Sequence, residues 1–316
     1  MPEQSENPPA PRLRVLVTGA AGFVGRRLVP ALVADGHEVR AMTRHPENYP
    51  GQGTPVYGDV DDPGSLAEPL AEVDVAYYLV HSLDADDFEA RDAAAARAFG
   101  QAAAAHGVRQ IVYLGGLGAD GEELSPHLRS RREVEHLLGQ SGVPVTVLRA
   151  AIVVGHGGIS WEITRQLVDK LPAMVAPRWV KTMTQPIAVD DVTRYLVGVA
   201  DREEALDRVF EIGGPDRLDY LGMLREAAKV IKGHAPPILP VPVLSPRLSS
   251  RWLSLVTDVD TTTGRNLVDS MGIEVVVTDH SIRELVPGEP LSYAEAVRRA
   301  IAERAAEQAS TTPAER

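Results

Sequence analysis

Residues 18–25 read Thr18-Gly19-Ala20-Ala21-Gly22-Phe23-Val24-Gly25, a T-G-x-x-G-x-x-G spacing. Glycines so spaced do three things. One permits a tight turn, one removes a Cβ so that backbone N–H groups can approach a pyrophosphate, and the last lets a helix pack closely on a strand. The helix N-terminus then offers partial positive charge to the anion. A Gly-rich structural turn is the plainer reading. The apolar run before the motif and the helical spacing after it supply the context that a dinucleotide site requires. Thr18, Gly19, Ala21, Gly22, Phe23, Val24 and Gly25 are therefore the expected cofactor loop. Cofactor choice is read at the end of the second strand, where an acid would bond the ribose 2′-OH of NAD. The sequence there is Ala41-Met42-Thr43-Arg44. With no carboxylate, and with Arg44 and Thr43 able to clamp a 2′-phosphate, NADP(H) is expected over NAD(H). A solvated Arg44 is the alternative. Asp59, followed by Val60, could accept from an adenine amino group or could simply form a turn beside Gly58.

A second set of residues could act on a substrate. His127, Arg131, Val134 and Leu138 follow i, i+4, i+7, i+11 and share one helix face. Val134 and Leu138 should bury that face, leaving His127 and Arg131 at its other end. Imidazole titrates near neutrality and can donate a proton; guanidinium stays charged and can fix an oxyanion, a carboxylate or a ribose. A first-turn His and a structural Arg are the plainer reading. His81-Ser82 follows the fourth strand and is a second candidate donor pair, or a cofactor-lining loop. His156 lies in a Gly-rich loop and could face substrate, though a surface loop is the simpler role. Trp161 and Trp179 could line a pocket or belong to the core. Asp190-Asp191 reads as a helix cap and first-turn acid. The nine histidines show no metal-ligand spacing, so no metal is expected, and there is no G-x-S-x-G elbow.

The elements that must position these groups alternate. Strands are expected at residues 13–18, 38–43, 55–57, 73–80, 110–114 and 145–148. Helices are expected at 23–34 (with Pro30 inside), 63–71, 84–106 and 126–140, the last with Ser125 as N-cap and Pro126 first. The strands are continuously apolar rather than alternating, which signals a parallel sheet covered on both faces. Past Gly155 the rhythm changes. A Gly-rich loop (155–158), a helix at 160–170, a Pro-rich apolar stretch at 236–246 and a closing amphipathic helix at 293–308 follow. The fold class is α/β, a Rossmann-type doubly wound parallel sheet with a smaller C-terminal substrate lobe. The divisions expected are a disordered leader (1–11), an NAD(P)-binding domain (12–155), a substrate lobe (156–309, some of it returning to the sheet) and a disordered tail (310–316).

The 316-residue chain carries 32 Lys+Arg against 44 Asp+Glu, a net charge of −12, and no cysteine. The acidic balance argues against a phosphate-tracking nucleic-acid binder. The absence of Cys removes disulfides, thiolate nucleophiles and Cys-based metal centres. No run approaches the roughly 18 apolar residues of a spanning helix, and the start lacks a signal-peptide core. A cytoplasmic protein with a small-molecule substrate is expected, and a homodimer is compatible with the sequence. The 236–256 stretch could be a packed lid, a dimer face or a membrane-surface patch.

These features resemble the extended and atypical short-chain dehydrogenase/reductases. Within that superfamily they resemble the bacterial NAD(P)H-binding group related to nitrogen-metabolite-repressor-like proteins and to the nucleotide-binding accessory subunit of respiratory complex I. The glycine loop and residues 76–83 (AYYLVHSL), 111–118 (IVYLGGLG), 177–192 (PRWVKTMTQPIAVDDV) and 210–220 (FEIGGPDRLDY) carry the likeness. It implies a Rossmann sheet with the cofactor along its C-terminal edge, where Leu79, Val80 and Gly115 join the loop, and a substrate pocket built after residue 150. It also implies hydride transfer assisted by a Ser or Thr and a Tyr-x-x-x-Lys pair. Here Gly115-Gly116 stands in the hydroxyl slot, His127 in the Tyr slot and Arg131 in the Lys slot. The expected function is an atypical NADPH-dependent reductase acting on a small C=O, C=N or conjugated C=C substrate. A non-catalytic NADP(H) sensor or assembly protein is the alternative, and an epimerase or lyase is a third, weaker one.

Overall fold

In a computed structural model of the chain, residues 12–82, 87–118, 124–170, 174–176, 181–240, 257–258 and 270–311 are described. The leader (1–11), residues 83–86 at the expected start of the third helix, Trp179, residues 241–256 of the Pro-rich region and the last five of the tail lie outside them.

The first half alternates as expected: β1 (Arg14–Val17), α1 (Gly25–Ala34), β2 (Glu38–Thr43), β3 (Thr54–Tyr57), α2 (Ala67–Leu70), β4 (Val75–Tyr78), α3 (Phe88–Ala105), β5 (Gln110–Gly116), α4 (Pro126–Gly139) and β6 (Val145–Ala150). Helix α1 runs through Pro30 as expected, starting at Gly25. Two details depart from the sequence reading. The segment 63–71 splits into a 3-10 turn, Pro63–Ser65, capped by Asp62 on the Gly64 amide, and the four-residue α2. Strand β5 extends through both glycines to Gly116. Ser125 caps α4 as expected, accepting from the Leu128 amide.

The second half contributes β7 (Val153–Val154), α5 (Ile159–Lys170), β8 (Met174–Ala176), β9 (Met183–Thr184), β10 (Ile187–Ala188), α6 (Val189–Gly198), β11 (Val209–Ile212), β12 (Leu218–Asp219), α7 (Tyr220–Lys232), β13 (Ile238–Pro240) and α8 (Tyr293–Thr311). Helix α8 continues through Ser310 and Thr311, the start of the expected tail, with Ser310 Oγ bonded back to the Glu307 carbonyl. Asp190 and Asp191 are first-turn acids of α6 but do not cap it; Ala188 holds that position. Asp191 is buried and accepts from Arg194 and from the Leu291 amide.

Seven parallel strands form one sheet in the order β11-β6-β5-β4-β1-β2-β3. The strand order reverses at β1, which pairs with β2 on one side and β4 on the other. Such a reversal opens a crevice at the strands' C-terminal ends, the usual place for a ligand in an open α/β sheet. One face of the sheet is covered by α1 and α6 through Leu28, Leu32, Val192 and Leu196. The other is covered by α3 and α4 through Ala96, Phe99, Val134 and Leu138. A separate apolar cluster joins Trp161, Val168, Met223, Ala227, Tyr293 and Val297, so Trp161 is core.

Phe99 is fully buried, its ring centroid 5.0 Å from that of Tyr78. Phe99→Ala should cost about 3–5 kcal/mol in urea unfolding. A loss below about 1 kcal/mol would contradict this packing of α3 on β4.

Candidate active site

The turn after β1 is set by backbone geometry. Gly19 has φ +62°, and a Cβ on Gly25 would lie 2.3 Å from the Gly19 carbonyl oxygen and 2.8 Å from the Ala20 Cα. Helix α1 therefore begins directly on the turn, as the last motif glycine requires. The Gly22 amide is used by the Gly19 carbonyl at 2.8 Å. Among the described residues the amides of Ala21, Phe23 and Val24 have no partner, which leaves donors at the helix N-terminus where a pyrophosphate would sit.

A cleft of about 450 Å³ opens there, lined by Gly19–Gly22, Thr43, Arg44, Asp59, Val60, Val80, His81 and Ser82 among others. Arg44 is exposed at its rim and has no acidic partner among the described residues. Asp59 Oδ1 accepts from the Asp61 amide at 3.0 Å, so it forms its own turn while lining the cleft. These loops, shape and donors fit a dinucleotide.

Not every expected loop residue faces the cleft. Thr18 is fully buried; its hydroxyl donates to the Tyr77 carbonyl (3.0 Å) and accepts from the Leu79 amide (2.9 Å). It ties β1 to β4 and holds the turn. Phe23 points toward the second half, where Gly155 and Gly158 leave room for its ring. Leu79 approaches Gly19 through its backbone, its carbonyl oxygen 3.3 Å from where a Cβ there would lie.

His127 and Arg131 do share a cavity. It has a volume of about 160 Å³ and is lined by Gly115, Gly116, His127, Arg131, Ser160 and Tyr220, with apolar walls from Leu117, Ile152 and Val275. Gly115 thus lies on this cavity rather than in the larger cleft. Leu128 fills the space beside Gly116, where a Cβ would meet it at 2.8 Å, so the hydroxyl slot is packed by carbon. Arg131 Nη1 donates to the Leu114 carbonyl at 3.2 Å, fixing the guanidinium against the end of β5. Burial, then the Arg131 charge, pushes the His127 ring down to about 3, so it is neutral at pH 7. His81 is open to the cleft. The surrounding protein, then Arg131 and His127, hold it below the usual imidazole range. His81 on the cleft and His127 on the cavity thus both feel the charge of Arg131.

Asp92, in the buried stripe of α3, escapes the motif reading. Its carboxylate accepts from the Ser82 amide (2.9 Å) and from Ser130 Oγ (3.1 Å), tying the loop after β4 to α4. Burial raises its pKa, while Ser130, Arg131 and Ser82 oppose the shift. An acid at i with Ala96, Phe99 and Ala103 on the same helical face is a detectable exception to an apolar stripe. Tyr220, the first residue of α7, also escapes; burial raises its phenol, which stays protonated. Arg91 lines the cleft and pairs with Asp61 at 2.6 Å. His156 lies apart from the cavity, its ring bonded to Glu162 (3.2 Å) and Glu307, which makes it a tie between elements rather than a free loop residue.

The model of a family described as NAD(P)H-binding matches residues 19–201. An uncharacterized protein of Mycobacterium tuberculosis is 28% identical over 73% of this chain; the match spans 25%, about a quarter, of that longer relative. A ceramide reductase of Caulobacter vibrioides is 28% identical over 76% of this chain and 78% of its own length. In structure, the chain resembles the triphenylmethane reductase of Citrobacter sp. complexed with NADP(H), with TM-score 0.75, 16% identity and coverage of 91% of this chain and 100% of that one. The glycine turn, the crevice at the strand reversal and the extent of the family match agree: the chain belongs to the NAD(P)H-binding family, on a Rossmann-type fold.

Proposed function

We propose that this protein is an NADPH-dependent reductase of a small organic substrate with a C=O, C=N or conjugated C=C bond. The observation that carries the reading is the placing of His81 on the larger cleft and of His127 with Arg131 on the smaller cavity, near enough that His81 feels the Arg131 charge. The reductases among its relatives and structural neighbours agree with it.

The dinucleotide, when bound, supplies a hydride to the substrate carbon. The chain's own groups do the rest. The free amides of Ala21, Phe23 and Val24 would hold the pyrophosphate, and Arg44 with Thr43 would hold a 2′-phosphate. Asp59 and Val60 would border the adenine, and Val80, His81 and Ser82 the nicotinamide half. His127, as a neutral ring, donates an N–H hydrogen bond to the reacting heteroatom rather than delivering an imidazolium proton. Arg131 stabilises the negative charge that develops there, and solvent returns the final proton.

Incubation with NADPH and a panel of ketones, imines, enones and quinones, followed at the absorbance of the reduced cofactor, tests the reading. Oxidation with at least one class is expected. Tight NADPH binding with no oxidation throughout would replace it with a non-catalytic dinucleotide-binding protein. Arg44→Ala should weaken NADPH roughly tenfold and NADH hardly at all, as judged by fluorescence titration. Equal effects on both would remove Arg44 from the 2′-phosphate.

A pH series checks the state of His127. Its folded pKa lies at about 3, below an unfolded value near 6.5, so the unfolded chain binds more protons between those pH values. The stability tied to this ring is complete above pH 6.5 and falls as pH drops toward 3. His127→Phe should therefore flatten the acid-side decline in urea-derived stability, by at most about 1.4 kcal/mol per pH unit. It should also reduce turnover, and no inflection near pH 6.5 in the wild-type profile should be lost in the variant. An inflection there that disappears in the variant would mean that the ring works as imidazolium.

A further inference from the structure

The charge distribution around Arg131 says more about what enters the cavity. None of the described residues lining it is acidic, in a chain of net charge −12. Arg131 is only partly accessible and has no carboxylate partner among the described residues; its guanidinium donates to the Leu114 carbonyl and lies beside the Tyr113 hydroxyl. Asp92, the acid whose field it shares, lies beyond ion-pair distance and gives its two oxygens to the Ser82 amide and Ser130 hydroxyl. The other polar side chains on the cavity, His127, Ser160, Tyr220 and Ser270, are all of types that can donate a hydrogen bond, and Ser270 Oγ also lies 2.9 Å from Ser125 Oγ. A half-enclosed cation without a counter-charge, ringed by donors, is a site that a ligand anion completes. Size narrows the class. The cavity's roughly 160 Å³ is close to the ~150 Å³ that holds a benzene ring in an engineered protein core. Its apolar walls include Leu117, Ile152, Met271 and Val275.

We propose that the cavity binds a small organic carboxylate, the carboxylate on the Arg131 fork and the His127 N–H, the carbon body against Leu117, Ile152 and Val275. The proposal rests on the reading of this cavity as the substrate site and gives that substrate its class. A 2-oxo acid or an unsaturated acid combines the anion with a reducible bond beside it. A planar guanidinium matches a carboxylate with two parallel N–H donors, which a lysine ammonium in the same place would not.

Calorimetric titration of the full chain with benzoate, and with the near-isosteric neutral benzamide, tests this without needing turnover. Both titrations are run with and without saturating NADPH at pH 7.5. Benzoate is expected to bind at least tenfold tighter than benzamide in the presence of NADPH. Arg131→Met should abolish that preference. Arg131→Lys, which keeps the charge and loses the fork, should weaken benzoate several-fold, and it decides the matter if the Met variant fails to melt cooperatively. Benzoate binding no tighter than benzamide, or equally tight in Arg131→Lys and wild type, would overturn the proposal. So would benzoate binding that saturating NADPH eliminates, since Arg131 would then belong to the dinucleotide. The NADPH oxidation panel fails or succeeds separately, so a redox-inactive protein that still selects benzoate through Arg131 would refute the reductase reading and keep the carboxylate site.

Discussion

Helix α1 lies against the turn after β1 so closely that no side chain fits between them. The Gly25 position, with 2.3 Å from a would-be Cβ to the Gly19 carbonyl, is the tightest expression of that contact. From it follow the direction of the helix N-terminus, the unpaired amides of Ala21, Phe23 and Val24, and the placing of those donors at the reversal of strand order. The buried Thr18 hydroxyl locks the same turn to β4. The cleft is thus a consequence of backbone packing at the centre of the sheet.

The same helix also reaches the second half of the chain. Arg26 and Arg27 both donate to the His156 carbonyl, at 2.5 and 2.8 Å, and Arg27 pairs with Glu303 of α8 at 2.6 Å. The Arg27 guanidinium also lies 4.9 Å from the Phe23 ring centroid. His156 in turn bonds Glu162 of α5 and Glu307 of α8. The first turn of α1 is therefore braced by the elements that follow residue 150. The cavity at His127 has the same mixed origin, with Gly115 and Arg131 from the first half and Ser160 and Tyr220 from the second.

Much of this was legible in the residues because parallel strands buried on both faces leave continuous apolar runs, and because a turn that a helix must touch tolerates only glycine. The i, i+4 relation of His127 and Arg131 likewise needs only helical geometry to put them together. The direction of a side chain within a motif is a different matter. Thr18 and Phe23 belong to the glycine motif, yet one is sealed in the sheet and the other turns to the Gly155–Gly158 loop. Strand β11 joins the main sheet beside β6 through long-range pairing that its four residues do not announce. Tyr220 and Asp92 are single residues with no spacing partner; tertiary packing brings them to the site. Asp190 and Asp191 look like caps by residue type, but the cap position falls one turn boundary earlier, at Ala188.

The central claim is that the dinucleotide lies over the α1 N-terminus and presents its nicotinamide to the cavity of His127 and Arg131. A crystal structure of the NADPH complex measures this directly. The account predicts the pyrophosphate on the amides of Ala21, Phe23 and Val24, the 2′-phosphate at Arg44, and the nicotinamide C4 at the mouth of the cavity. An oxygen of a bound substrate should lie within hydrogen-bond reach of His127, about 2.6–3.2 Å. A nicotinamide directed away from Arg131, or a cavity closed to it by Leu128 and Tyr220, would contradict the account.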